Sequence, residues 1–193
     1  MSKTLTTPAG IARYPHLNTP DKKYATAEKP HGEYKVNLEM SNEDAEPFIK
    51  QVEALFSAFI AEKKAELKKD KLKLHGAPWE ENDGMTQLKL KVPATGKSRD
   101  GETYSRKPKL FNSSGEVIED NIGGGSKLQV AVVPYCWYTA SLGAGITLQP
   151  KAVMVHELVT WGDGGSATSY GFDVSEAKPD TRKTGTDDEE ISW

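Results

Sequence analysis

The sequence predicts a mainly β, α+β domain, a small β-barrel that carries one inserted long helix. Three observations point there. Apolar and polar residues alternate with a period of two in several short stretches. A single stretch switches to helical spacing. Glycine- and proline-marked turns separate the strands, with no long βαβ crossover between them. The chain has 193 residues, 36% hydrophobic and 27% charged, which suits one domain with extensions and a modest core.

Residues 1–31 contain Pro8, Pro15, Pro20 and Pro30 with weak periodicity, and read as an irregular N-terminal arm. The first strand is Glu33 to Met40, where Tyr34, Val36, Leu38 and Met40 alternate with Lys35, Asn37 and Glu39. Ser41 or Asn42 can then cap a helix, and Glu43 and Asp44 favour its positive N-terminal end. Phe48, Val52, Leu55, Phe56, Phe59 and Ile60 recur at helical spacing, so the helix spans about 42–71. Its lysines (Lys63, Lys64, Lys68, Lys69, Lys71) are interleaved with acids and read best as a solvated face.

A loop from His75 to Gly84 leads into a strand from Met85 to Val92, with Leu88, Leu90 and Val92 on one face and Lys89 and Lys91 on the other. Residues 94–103 read as a polar loop, and Tyr104 to Phe111 as a third strand group that turns at Asn112 to Gly115. Lys127 to Val133 alternates again, Pro134 interrupts, and Tyr135-Cys136-Trp137-Tyr138 follows. The last pair is Ile146 to Leu148 and Lys151 to Trp161, joined or bulged at Pro150. The chain thus divides into an arm (1–31), a barrel domain (32–162) and a disordered linker with an acidic tail (163–193).

Charge is unevenly placed. Residues 176–193 hold six acids and three bases, which accounts for the whole formal net charge of −3 and leaves the body neutral. Residues 85–157 carry nine bases against six acids, a mild local excess. The lone cysteine, Cys136, excludes an internal disulfide framework and reads as a small, unreactive side chain. No signal-peptide pattern and no run of about 18 apolar residues is present, so the expected setting is a reducing cytoplasm with no membrane association.

Catalytic patterns are missing. His16, His31, His75 and His156 have no metal-ligand spacing, and Gly96-Lys97-Ser98 lacks the upstream glycine and the strand-to-helix setting of a P-loop. No cofactor is implied, and an enzyme such as a nuclease would have to use scattered carboxylates. Gly123-Gly124-Gly125-Ser126-Lys127 either cradles a phosphate or makes a turn into a strand, and the pattern alone favours the turn.

The positive signal is aromatic residues interleaved with bases. Tyr104, Arg106, Lys107, Lys109 and Phe111 form one group, and Lys107, Lys109 and Phe111 share a strand face. Tyr135, Trp137 and Tyr138 form a second group, Lys89 and Lys91 offer a third basic face, and Lys127 is a further cation. An unpaired nucleic-acid strand needs this mixture, because cations track phosphates and flat rings stack on bases for roughly 1–3 kcal/mol each. The alternative is that these rings fill the core of a β-barrel interaction protein or virion structural protein. The tail (Asp187, Asp188, Glu189, Glu190, with the apolar end Trp193) can occupy a basic groove in cis or engage a partner; otherwise it only aids solubility.

Two long stretches add a resemblance. Ile122-Gly123-Gly124-Gly125-Ser126-Lys127-Leu128-Gln129-Val130 and Val132-Val133-Pro134-Tyr135-Cys136-Trp137-Tyr138-Thr139-Ala140 resemble the single-stranded DNA-binding replication proteins of tailed bacteriophages. So do 143–149, 153–158, the strand Gly32 to Leu38 and the acidic C-terminus with its final aromatic. The resemblance implies a five-stranded Greek-key OB-fold and sequence-independent binding of single strands. It also implies protection and annealing of strands in phage DNA replication and recombination, within the host-cell cytoplasm. Partners implied for the tail are a phage DNA polymerase and a helicase-primase, together with a homodimer. Two departures stand out. Cys136 occupies a position where the family places a basic residue, and the tail is shorter and less acidic than the family's long tails, which argues against strong tail-mediated dimerisation.

Overall fold

The computed structural model describes residues 3–23, 25–27 and 29–160. The elements in chain order are β1 (Leu5–Thr6), β2 (Gly10–Asp21), β3 (Glu33–Ser41), α1 (Asn42–Leu67), β4 (Trp79–Asn82), β5 (Met85–Pro93), β6 (Thr95–Lys97), β7 (Thr103–Ser105), β8 (Lys109–Asn112), β9 (Lys127–Thr139) and β10 (Gly143–Glu157). Five of them close a ring in the order β2-β3-β5-β10-β9 and back to β2. Four of these pairings are antiparallel; β5 and β10 meet in parallel at one point, Leu90 opposite Leu148. This is the expected five-stranded OB-type barrel, with the helix inserted between its second and third strands.

Alternation drives the closure. Val36 and Leu38 on β3, Leu88 and Leu90 on β5, Leu128, Val130 and Val132 on β9, and Leu148 and Val153 on β10 are all buried in one core. Each such side chain contributes about 1.5–3 kcal/mol by leaving water. Truncating one of them, as in Leu38→Ala, would cost roughly 2–5 kcal/mol because rigid walls cannot collapse onto the hole. Helix α1 adds Ala45, Phe48, Ile49 and Val52 to the same core. Ser41 caps it by accepting a hydrogen bond from the Asp44 N–H (3.1 Å), and the hydroxyl donates back to the Asp44 carboxylate (2.7 Å). The helix stops at Leu67 rather than near Lys71. Lys68 turns left-handed (φ 53°), and the Lys69 N–H closes back on the Lys64 carbonyl.

The expected irregular arm is the largest correction. Residues 1–31 contain β1, which pairs with β9, and the twelve-residue β2, which is a wall of the barrel. Its alternation was hidden because small residues face inward. Ala12 is fully buried, and a Cβ on Gly10 would sit 2.8 Å from both the Glu39 carbonyl and the Leu38 side chain. Pro15 and Pro20 lie where the β2–β3 register shifts, so their missing N–H groups break no regular ladder.

Other boundaries also move. Trp79–Asn82 is a strand, joined to β5 through Asp83 (φ 47°) and Gly84 (φ 80°), two left-handed residues that match the twist of a tight hairpin. The expected polar loop 94–103 instead holds β6 and the start of β7, which pair as a hairpin running to Ser105. β9 runs through Pro134 without a break, and β10 is one strand kinked by a bulge between Pro150 and Ala152 that ends at Glu157. The glycine run is a turn: Gly125 has φ 94°, and Ser126 is buried and exchanges hydrogen bonds with the Val159 backbone (2.8 and 3.1 Å). No helix among the described residues is long and apolar enough to cross a membrane.

Candidate nucleic-acid interface

Past the single contact at Leu90 and Leu148, β10 takes β8 as its parallel neighbour, so β5 and β10 part company. The gap forms an open groove of about 970 Å³. Arg106, Lys107, Lys109 and Lys151 line it together with the rings of Tyr104 and Phe111, and among the described residues its lining contains no acid. Thr4, Val92, Ser105, Val133, Gln149, Pro150 and Ala152 complete the walls.

Strand register explains this convergence. β8 sets Lys109 beside Ala152 and Phe111 beside Met154 on β10, while Leu110 between them is buried. The two-residue repeat therefore sends Lys109 and Phe111 outward together. Arg106 is anchored twice: its N–H donates to the Ala94 carbonyl (2.9 Å), and its guanidinium Nη2 donates to Gln149 Oε1 (2.6 Å). The groove cations form no ion pair among the described residues. Arg106 is held by a neutral amide, so its positive charge is not neutralised.

Other predicted residues lie elsewhere. Lys89 points outward from β5 and pairs with Glu80, and Lys127 pairs with Glu157 at 3.8 Å. Lys127 lies six positions before Val133 along β9, about 20 Å at strand rise. Lys91 faces outward opposite Lys35 and does not line the groove. These three were expected beside the others, but cross-strand neighbours far apart in sequence set their surroundings. Tyr135 is 54% exposed and shares the outer face of β9 with Val133. Trp137 is partly covered: its Nε1 donates to Thr147 Oγ1 (3.1 Å), its ring leans on His75 (5.2 Å between centroids), and it packs over Gly145, where a Cβ would strike the indole. Asp187, Asp188, Glu189, Glu190 and Trp193 lie outside the described residues.

Lys151, Gln149 and the N-terminal Lys3 and Thr4 were not anticipated. The bulge after Pro150 brings Lys151 into the groove, which strict alternation does not reveal. The β1–β9 pairing carries Thr4 to the groove and Lys3 to a small hollow beside Tyr135. Burial pushes the Cys136 thiol pKa up, in keeping with an inert side chain. Among the described residues, no three of His, Cys, Asp or Glu gather to hold a metal ion.

The family described as "Single-stranded DNA-binding protein, Bacteriophage T7" matches residues 9–158. The chain belongs to this family. The match runs from the start of β2 to the end of β10 and takes in every groove residue except Thr4. The single-stranded DNA-binding protein of Enterobacteria phage T3 is 34% identical over 84% of this chain and 79% of its own length. The crystal structure of gp2.5, the single-stranded DNA-binding protein encoded by bacteriophage T7, superposes with a TM-score of 0.68 at 30% identity, covering 85% of this chain and 97% of that one. The fold alone is shared with the bacteriophage Enc34 single-stranded DNA-binding protein solved in complex with ssDNA. That match has a TM-score of 0.52 at 16% identity, over 84% of this chain and 88% of the other. The family is one of binding proteins rather than of enzymes.

Proposed function

We propose that the groove between β5, β8 and β10 holds single-stranded DNA without regard to sequence. One observation carries the reading: four cations and two aromatic rings line one open groove that contains no carboxylate among the described residues. Arg106, Lys107, Lys109 and Lys151 follow the phosphates, and Tyr104 and Phe111 stack on bases. Tyr135 and Trp137 continue the same outer face along β9. Lys89, Lys91 and Lys127 are not part of this set. Stacking ignores base identity, and phosphate contacts carry no sequence information, so binding is sequence-tolerant by construction.

Such binding protects exposed strands in phage DNA replication and recombination and brings complementary strands together for annealing. It takes place in the host-cell cytoplasm. The acidic tail competes for the basic groove until DNA displaces it. Once released, it recruits a phage DNA polymerase and helicase-primase. A chain lacking residues 176–193 should bind DNA more tightly and these partners more weakly; unchanged DNA affinity would remove the competition.

Fluorescence titration with oligo-dT at several salt concentrations tests the groove. Four phosphate contacts predict a slope of log affinity against log salt of about −2.8, at 0.7 per contact for single strands. No quenching and no salt dependence would leave a barrel that engages only proteins.

A further inference from the structure

A second cavity adjoins the groove across the β6–β7 hairpin. The hairpin pairs Thr95 with Ser105, Gly96 with Tyr104, and Lys97 with Thr103. Tyr104 and Ser105 line the groove. Thr95, Gly96, Lys97 and Thr103 line a cavity of about 480 Å³, facing Lys29 and His31 of the segment between β2 and β3.

Gly96, which lines the second cavity, is where the groove's Tyr104 ring packs. It is not in the left-handed region, so backbone conformation does not require glycine. Space does: a Cβ there would stand 2.6 Å from the Tyr104 Cζ and 2.7 Å from its hydroxyl. The ring therefore lies across the hairpin on a bare backbone, with half its surface (51%) exposed. Beyond it, Lys97 is exposed and forms no ion pair among the described residues. Lys29 sits 3.8 Å from Glu33 and keeps 43% of its side chain exposed. The cavity's described lining contains no acid.

From this geometry, and resting on the single-strand reading of the groove, we propose that the bound strand continues over Tyr104 into the second cavity. There Lys97 takes the next phosphates, with Lys29 and His31 lining the facing wall. Tyr104 then serves as the step between two subsites, and the ligand of the second is the phosphodiester backbone of the same DNA strand. A strand that fills both subsites is longer than one that fills the groove alone.

The test uses the full chain with dT strands of about six and about sixteen nucleotides, spanning the range known for one such barrel. Lys97→Ala should lower the salt slope for the longer strand by about 0.7 and leave the shorter strand's slope and affinity unchanged. An unchanged slope with the longer strand overturns the second subsite. An equal loss with both strands also overturns it, because Lys97 then serves the groove itself. If the unmodified chain binds neither strand, the reading of the groove falls and the extension falls with it.

Discussion

The guanidinium of Arg106 and the side-chain amide of Gln149 are joined by a hydrogen bond of 2.6 Å, from Nη2 to Oε1. The bond ties the segment between β7 and β8 to the outer face of β10. A neutral acceptor orients the cation without cancelling it, which a carboxylate in the same place would do. Gln149→Leu should therefore lower single-strand affinity several-fold while the melting temperature stays close to that of the unmodified chain. Equal affinities in the two proteins would show that Arg106 needs no such anchor.

Lys107 and Lys109 are expected to act as independent phosphate contacts. Replacing both with alanine should reduce the magnitude of the salt slope by about 1.4. Lys89→Ala and Lys127→Ala should leave it unchanged, since both side chains are ion-paired away from the groove. Titrations of the three variants across salt concentrations separate the groove from the other basic surfaces. A slope that responds equally to all three would place the DNA elsewhere.

The rings should affect affinity without affecting charge. Phe111→Ala and Tyr104→Ala should each cost roughly 1–3 kcal/mol of binding, with the salt slope preserved. Gly145→Ala works differently, because its new methyl group meets the Trp137 indole and must displace it. A shift in tryptophan fluorescence of the DNA-free protein is the expected signature. An emission spectrum identical to that of the parent chain would contradict this packing.

Acid should remove one specific support. The Asp21 carboxylate accepts a hydrogen bond from the Lys35 ammonium, the stronger influence, and another from the Lys23 backbone N–H, and both hold its pKa below the ordinary 3.8. A carboxylate depressed in this way stabilises the fold above its unfolded value, and that contribution is lost as pH falls through the folded value. Asp21→Asn should accordingly lower the melting temperature at neutral pH, and the difference should close as pH drops below 3.8. Thermal melts across that range test the sign; a gap that widens in acid would refute it.

Much of this is legible in the sequence. Tyr34, Val36, Leu38 and Met40 announced a strand with one wet face because a barrel wall buries every second residue. The grouping of Lys107, Lys109 and Phe111 on one side followed from the same repeat. β2 was not legible, since glycine and alanine face its core and bulges at Pro15 and Pro20 disrupt the period. Lys151 was missed for a similar reason, because one bulged residue changes which side chains face outward.

By itself the sequence determined the strand periodicity, the single helix with its Ser41 cap, the neutral body with an acidic end, and the interleaving of bases with rings. These are local properties, carried by residues a few positions apart. Only the tertiary structure decided which cations keep their charge available. Lys89 and Lys127 meet carboxylates, whereas Arg106, Lys107, Lys109 and Lys151 converge where β5 and β10 separate. The physical reason is that electrostatic environment depends on distance in space, and only the folded chain brings Lys109 beside Ala152 and Arg106 onto Gln149.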